Sequence, residues 1–289
     1  MKQSPRLLAS CWTLAGDVVP LAGSMVSPRD FRARAEAAGR AGYVGMGLYV
    51  DDLIAVRQRY DDAQIRQILA DNGLRYLELE VLMDWFADGE RRAASDRTRR
   101  LLLDVAQRLG AHHIKVVGDM SGDDWPLERM AESFRGLCRE AAAVGVQIVI
   151  EIMPTSNIRD LPTAIAIAAA AEEGNGGLLL DIWHFARGGI PFEDIASIPP
   201  RLIKHIELDD ADREQIGTLL EDQIFRRRLP GEGALDVPRF LRCVQATGYD
   251  GLYGIEIVSD AQRALPLEQA ARLPVETTLR QFDLVHAGR

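Results

Sequence analysis

Short β-rich runs alternate along this chain with longer amphipathic runs, and that rhythm restricts its possible folds more than any other feature. Strands are predicted over Leu7 to Thr13, Tyr43 to Tyr49, Arg75 to Leu82 and His113 to Val117. Four more are predicted over Val146 to Ile152, Gly177 to Ile182, Leu202 to Leu208 and Gly251 to Val258. Between them the spacing predicts helices over Pro28 to Gly42 (with Ser27 as N-cap), Asp61 to Asn72, Ser95 to Leu109 and Leu127 to Val144. Further helices are predicted over Leu161 to Glu173, briefly near Phe192 to Ile198, over Val237 to Thr247, and from Leu267 into the 280s. Several of them stop at a glycine, as at Gly73, Gly110, Gly145 and Gly248, where the left-handed C-cap costs least. A strand-then-helix alternation implies an α/β protein with a parallel sheet. Eight such units imply closure into a (β/α)8 barrel. The competing fold is an open doubly wound sheet, but no GxGxxG follows the first strand.

The chain has 289 residues, and a barrel needs about 250. With no Pro-rich linker or low-complexity stretch, a single domain over 1–289 is expected. The net charge of −9 argues against nucleic acid or an anionic membrane as partner, because both attract a basic face. The one basic cluster is Arg226, Arg227 and Arg228. Cys11, Cys138 and Cys243 are far apart, odd in number and without a CxxC, so a reducing cytoplasm is expected rather than a disulfide framework. No apolar run reaches the roughly 18 residues of a membrane span, and Met1 to Arg6 carries no signal-peptide pattern.

In a barrel the active site lies at the C-terminal ends of the strands. Four consecutive predicted strands carry an acid there: Glu151 on the fifth, Asp181 on the sixth, Glu207 on the seventh and Glu256 on the eighth. Each is embedded in aliphatic residues, where a carboxylate is costly unless it meets a cation or a donor. One such acid is readily explained by a salt bridge. Four at matching depth on adjacent strands point to a shared metal ion, and all-oxygen ligands favour Mg²⁺ or Mn²⁺ over zinc.

The chain resembles the xylose isomerase-like TIM-barrel superfamily, in its branch of sugar phosphate isomerases and epimerases. The resemblance rests on Glu151 with Pro154, on Asp181 to His184, on Ile203 to Asp210, on Pro230 to Gly233, and on Gly248 to Gly251 leading to Glu256. These segments span the C-terminal half; the N-terminal half matches only in rhythm. The branch includes tagatose and psicose epimerases, hydroxypyruvate isomerase, inosose dehydratase and dehydroshikimate dehydratase. It implies one divalent metal held by Glu151, Asp181, the seventh-strand residue and Glu256, with Glu151 and Glu256 also serving as the acid/base pair. Glu207 departs from the usual His or Gln at the third position. His205, two residues earlier on the same face, is the alternative ligand, but the place of Glu207 before Leu208, Asp209 and Asp210 fits the motif better. The resemblance also gives His184 and Arg213 substrate contacts. The plainer readings are a packed or capping histidine and a solvated arginine.

Lys115 and Glu80, on the fourth and third strands, are further substrate-binding candidates, unless Lys115 turns towards a helix. Trp12, Trp85, Trp125 and Trp183 fall near strand ends or loops, each better read as packing than as a sugar platform. Asn157 stands where some epimerases carry a second acid, which weakens the epimerase match. The function expected is metal-dependent isomerisation or epimerisation of a small carbohydrate-like hydroxy-carbonyl compound through an enediolate. The alternatives are a lyase on the same scaffold and, further off, a non-catalytic binding subunit. A DNA-cleaving relative is disfavoured by the acidic charge and the five histidines. A homodimer or homotetramer is expected from the same resemblance.

Overall fold

The computed structural model describes residues 4–171 and 174–287. Eight parallel strands close in sequential order into a barrel: β1 (Arg6–Ala9), β2 (Gly45–Tyr49), β3 (Tyr76–Leu82), β4 (His113–Val117), β5 (Gln147–Glu151), β6 (Gly176–Asp181), β7 (Ile203–Leu208) and β8 (Leu252–Ile255). Closure comes from β1 pairing with β8, Arg6 opposite Leu252 through Ala9 opposite Ile255. Parallel neighbours need a crossover, and the amphipathic runs supply it as helices packed outside the barrel.

Side chains alternate between the two faces of a strand. One set, including Leu7, Met46, Leu79, Ile114, Ile150, Leu180 and Ile206, joins the hydrophobic core with the helices. The other set is also buried, yet much of it is polar: Ser10, Glu78, Glu80, His113, Lys115, Glu151, Asp181, His205 and Glu207. The barrel interior is therefore the polar part of this protein, and the layer between strands and helices is its apolar core.

Several local expectations are corrected. β1 ends at Ala9, and Cys11–Ala15 is helical, so Trp12 and Thr13 are not strand residues. The Thr13 hydroxyl instead ties this turn to β8, donating to the Ile255 carbonyl at 2.7 Å. The helix predicted from Pro28 starts at Phe31, and its cap is Asp30, whose carboxylate accepts from the amides of Arg32 and Ala33. Ser27 is not the cap; its hydroxyl donates to the Ala15 carbonyl at 2.7 Å. Helix Val50–Arg59 follows β2 directly, with no glycine or proline between to mark the change. The helix predicted from Ser95 begins at Gly89. The helix predicted over Leu161 to Glu173 runs over Leu161–Ala169, and Glu172 and Glu173 lie outside the described residues. So do Met1 to Gln3 of the N-terminal stretch read for a leader.

Among the described residues no helix is long and apolar enough to cross a membrane. Cys11 and Cys138 are buried, and no disulfide joins the described cysteines.

Candidate active site

The ends of β5 to β8 bring four acids to one place. Glu151, Asp181, Glu207 and Glu256 each offer one oxygen, and these oxygens lie within 4.8 Å of one another. All four residues are buried. Each has a local anchor. The Asp181 carboxylate accepts from the His184 amide at 3.0 Å, capping helix Ile182–Arg187. Glu151 lies 3.0 Å from His184 Nε2. Glu207 accepts from the Ser10 hydroxyl at 2.8 Å. The Glu256 amide donates to the Leu208 carbonyl, which holds the residue just past β8.

Two buried cations enter this ring. Lys115 Nζ reaches Glu207 and Glu256, each at 2.8 Å, and Glu80 at 3.3 Å. Arg227 Nη1 reaches Asp181 at 2.6 Å, Asp209 at 2.5 Å and Glu256 at 3.1 Å. Burial alone would lower the pKa of Lys115, but Glu207, Glu256 and Glu80 outweigh it and keep the ammonium charged. Burial pushes Glu207 well up, and repulsion from Glu256 adds to that. Burial likewise raises Glu256 further than Lys115 and Arg227 lower it. Glu80 is raised to about 7, by burial first and by Glu78 among its neighbours. Glu151 goes the other way: burial raises it, yet Lys115 and the His184 hydrogen bond hold it down at about 2.

A profile of the family described as "Xylose isomerase-like TIM barrel" matches residues 35–278. The chain belongs to that family. A 3-dehydroshikimate dehydratase of Pseudomonas aeruginosa is 29% identical over 239 residues, covering 80% of this chain and 36% of that protein. An inosose isomerase of Halalkalibacterium halodurans is 27% identical over 142 residues, covering 48% of this chain and 49% of that protein. The chain thus spans from about a third to a half of these curated relatives. Among solved structures, an IOLI protein with a bound zinc atom superimposes with a TM-score of 0.84 at 19% identity, over 98% of both chains. That likeness shows the shared barrel.

The xylose isomerase-like barrel of this chain fits a divalent cation at the carboxylate ring. Six buried acids, Glu80, Glu151, Asp181, Glu207, Asp209 and Glu256, surround two cations there, Lys115 and Arg227, so carboxylates remain to meet a further cation. Burial first, and neighbouring acids after it, raise Glu207 and Glu256, so a cation at the ring would favour their ionised forms. Glu207 Oε2 is buried and has no hydrogen-bond partner, so one ring oxygen remains to be satisfied. The four ring donors are all carboxylates, the chemistry of a hard cation, and His184 offers a further ligand atom within 4.8 Å of those of Glu151 and Asp181.

The structure sorts the other predicted residues. Glu207, and not His205, comes together with Glu151, Asp181 and Glu256; His205 belongs to a deeper cluster with Glu78 and His113. Lys115 turns into the barrel rather than towards a helix, and Glu80 joins it. His184 lies against both Glu151 and Arg227. Arg213, expected to contact substrate, is exposed and does not line the cleft above the ring. The arginine that lines the cleft is Arg227. A bridge between Asp210 and Arg228 folds the long loop after β7 back over the ring and delivers it. Counting forward from β7 crosses the insertion that carries it, so its distance along the chain does not locate it. Asp209 was also missed as a partner for that guanidinium.

Of the tryptophans only Trp12 lines the cleft, packed against Tyr49 with centroids 5.2 Å apart. Trp183 lies under the Arg227 guanidinium, 5.3 Å from its centroid. Trp85 and Trp125 bond the Val117 carbonyl and Asp119, as packing residues do. Asn157 accepts from the Asp119 amide at 2.8 Å and so fixes a loop. The cleft has Glu80, Lys115, Glu151, Arg227 and Glu256 as its floor, and Trp12, Tyr49, Met83, Met153 and Val258 among its walls.

Proposed function

We propose that this barrel isomerises or epimerises a small, unphosphorylated, carbohydrate-like hydroxy-carbonyl compound through an enediolate. One Mn²⁺ or Mg²⁺ ion would be held by Glu151, Asp181, Glu207 and Glu256. The observation that carries this reading is the opposed setting of Glu151 and Glu256, three strands apart at one cleft floor. In the metal-free protein Lys115 and the His184 hydrogen bond hold Glu151 at about 2 against its burial, whereas burial pushes Glu256 up. Two carboxyls facing one another across the cleft floor can serve as base and acid in turn.

When bound, the ion polarises a carbonyl and acidifies the adjacent C–H. Glu151 takes that proton while the C–H electron pair moves into the new carbon–carbon double bond and the carbonyl oxygen gains charge. His184 fixes the Glu151 carboxylate through their 3.0 Å contact. Glu256 returns a proton to the opposite face of the same carbon for epimerisation; for isomerisation a proton returns to the neighbouring carbon while the hydroxyl proton passes to the former carbonyl oxygen. Lys115 holds Glu256 and Glu207 in place, and Arg227 offers its guanidinium to a substrate oxygen at the cleft floor. The cleft walls displace water from the intermediate. Both cations of the floor are already paired with carboxylates, which favours a substrate without a phosphate.

A second reading has its own support. The match that covers the larger share of the chain is to a 3-dehydroshikimate dehydratase. A lyase would share the first proton transfer and then expel a β-hydroxyl, with a proton from Glu256 or Lys115. Incubation of the Mn²⁺-loaded protein with keto-sugars, inososes and 3-dehydroshikimate in D₂O separates the two by NMR. One carbon-bound deuterium in a product isomeric with the substrate supports the first reading. Loss of water supports the second. Neither an isomer nor a dehydrated product from any of them overturns both and leaves a binding subunit.

A further inference from the structure

A second cluster is sealed inside the barrel, two residues deeper than the ring on three of its strands. Glu78 of β3, His113 of β4 and His205 of β7 each bring one ligand atom within 4.8 Å of the others. All three are 0% exposed. His113 Nε2 lies 2.7 Å from Glu78 Oε2, and His205 Nε2 lies 3.5 Å from the same oxygen. Neither ring nitrogen of His205 has a hydrogen-bond partner. A sealed imidazole with both nitrogens unmatched is costly, so its orientation calls for something at that point.

The backbone keeps room for it. A Cβ on Gly254 would lie 2.7 Å from His205 Nε2, and one on Gly47 would lie 2.6 Å from Glu78 Oε1. His113 is oriented from behind: its Nδ1 is 2.9 Å from His112 Nδ1. The 2.7 Å contact between His113 Nε2 and Glu78 Oε2 carries a proton in the metal-free protein, and an incoming ion would displace it while His112 continues to orient the ring. His112 in turn lines a cleft at the N-terminal end of the barrel with Arg6, Tyr76 and Gln147.

We propose that Glu78, His113 and His205 form a second divalent-cation site, distinct from the carboxylate ring and suited to a zinc-class ion. Two imidazoles and one carboxylate favour zinc or cobalt over magnesium. Such an ion would brace β3, β4 and β7 directly beneath the ring.

Cobalt titration of metal-stripped protein, followed by its visible absorption, tests this. Wild type takes up two equivalents, Glu151→Gln keeps the imidazole-ligated one, and His113→Asn loses that one. Uptake unaffected by His113→Asn overturns the proposal. X-ray absorption of zinc-loaded Glu151→Gln leaves the deep cluster intact and covers the case in which His113→Asn does not fold. Two imidazole nitrogens on the zinc are expected; one or none overturns the site.

Discussion

Glu78 and Glu80, His113 and Lys115, and His205 and Glu207 are three pairs, each two residues apart on one strand and each facing the barrel interior. Two residues along a strand is a step of about 7 Å. Over that step the chemistry changes. The upper members join Glu151, Asp181, Glu256 and Arg227 in a network of charges beneath an open cleft. The lower members are sealed, and their histidines stay neutral: burial lowers His113 to about 3 and His205 well below its usual value. A barrel interior can hold several charges only where cations are placed among them and the cleft mouth lies close. Deeper in, the same strands hold groups that can shed charge.

The sharpest challenge to this contrast is Glu151→Gln. It removes the base and a proposed ring ligand, so turnover is expected to fall about 10²- to 10⁴-fold, while circular dichroism of the metal-stripped variant remains that of the folded barrel. Lys115→Met tests the upper tier as an ion network. It strands Glu80, Glu207 and Glu256 and is expected to cost about 3–5 kcal/mol in urea unfolding. An unchanged midpoint would mean that the acids of this tier are already neutral.

The lower tier makes a pH prediction for metal-stripped protein. An unfolded histidine takes a proton near pH 6.5 and the folded His113 only near 3, so the unfolded state binds more protons between them. The contribution of His113 to stability is complete above about pH 6.5 and is lost as pH falls, by up to about 1.4 kcal/mol per unit. Denaturation curves of His113→Gln should show a correspondingly shallower acid slope. His205→Leu, again without metal, replaces a ring with no hydrogen bonds by an apolar side chain and should cost under about 1 kcal/mol. A large loss there would show that the lower tier depends on a contact of His205. Arg213→Ala should leave turnover and stability unchanged within error, because its side chain is exposed and lies off the cleft.

The strands were legible because each is a short aliphatic run bounded by turn residues, and β4 matches its predicted span end to end. The helix after β2 was not, because Val50 to Asp52 follow Tyr49 without a turn signal. Glu151, Asp181 and Glu207 stood out as acids inside apolar strands, a pattern that local burial alone makes improbable. Glu78 is likewise an acid inside an apolar strand, but it and His113 lie two residues deeper than Glu80 and Lys115, away from the C-terminal strand ends where a barrel site is expected. Arg227 could not be placed by distance along the chain, since the loop that carries it folds back through the Asp210–Arg228 bridge.

The sequence by itself determined the eightfold alternation, the closed parallel barrel and the strand ends at which the acids lie, because these follow from periodicities of two and about 3.6 residues read over short windows. Only the tertiary structure decided the pairings: Lys115 with Glu207 and Glu256, Arg227 with Asp181 and Asp209, and His205 with the deep cluster rather than the ring. Lys115 and Glu256 are 141 residues apart, on strands that meet only across the closed barrel. The energy of a buried charge depends on what faces it through space, and that is set by closure and strand register, not by neighbours in the chain.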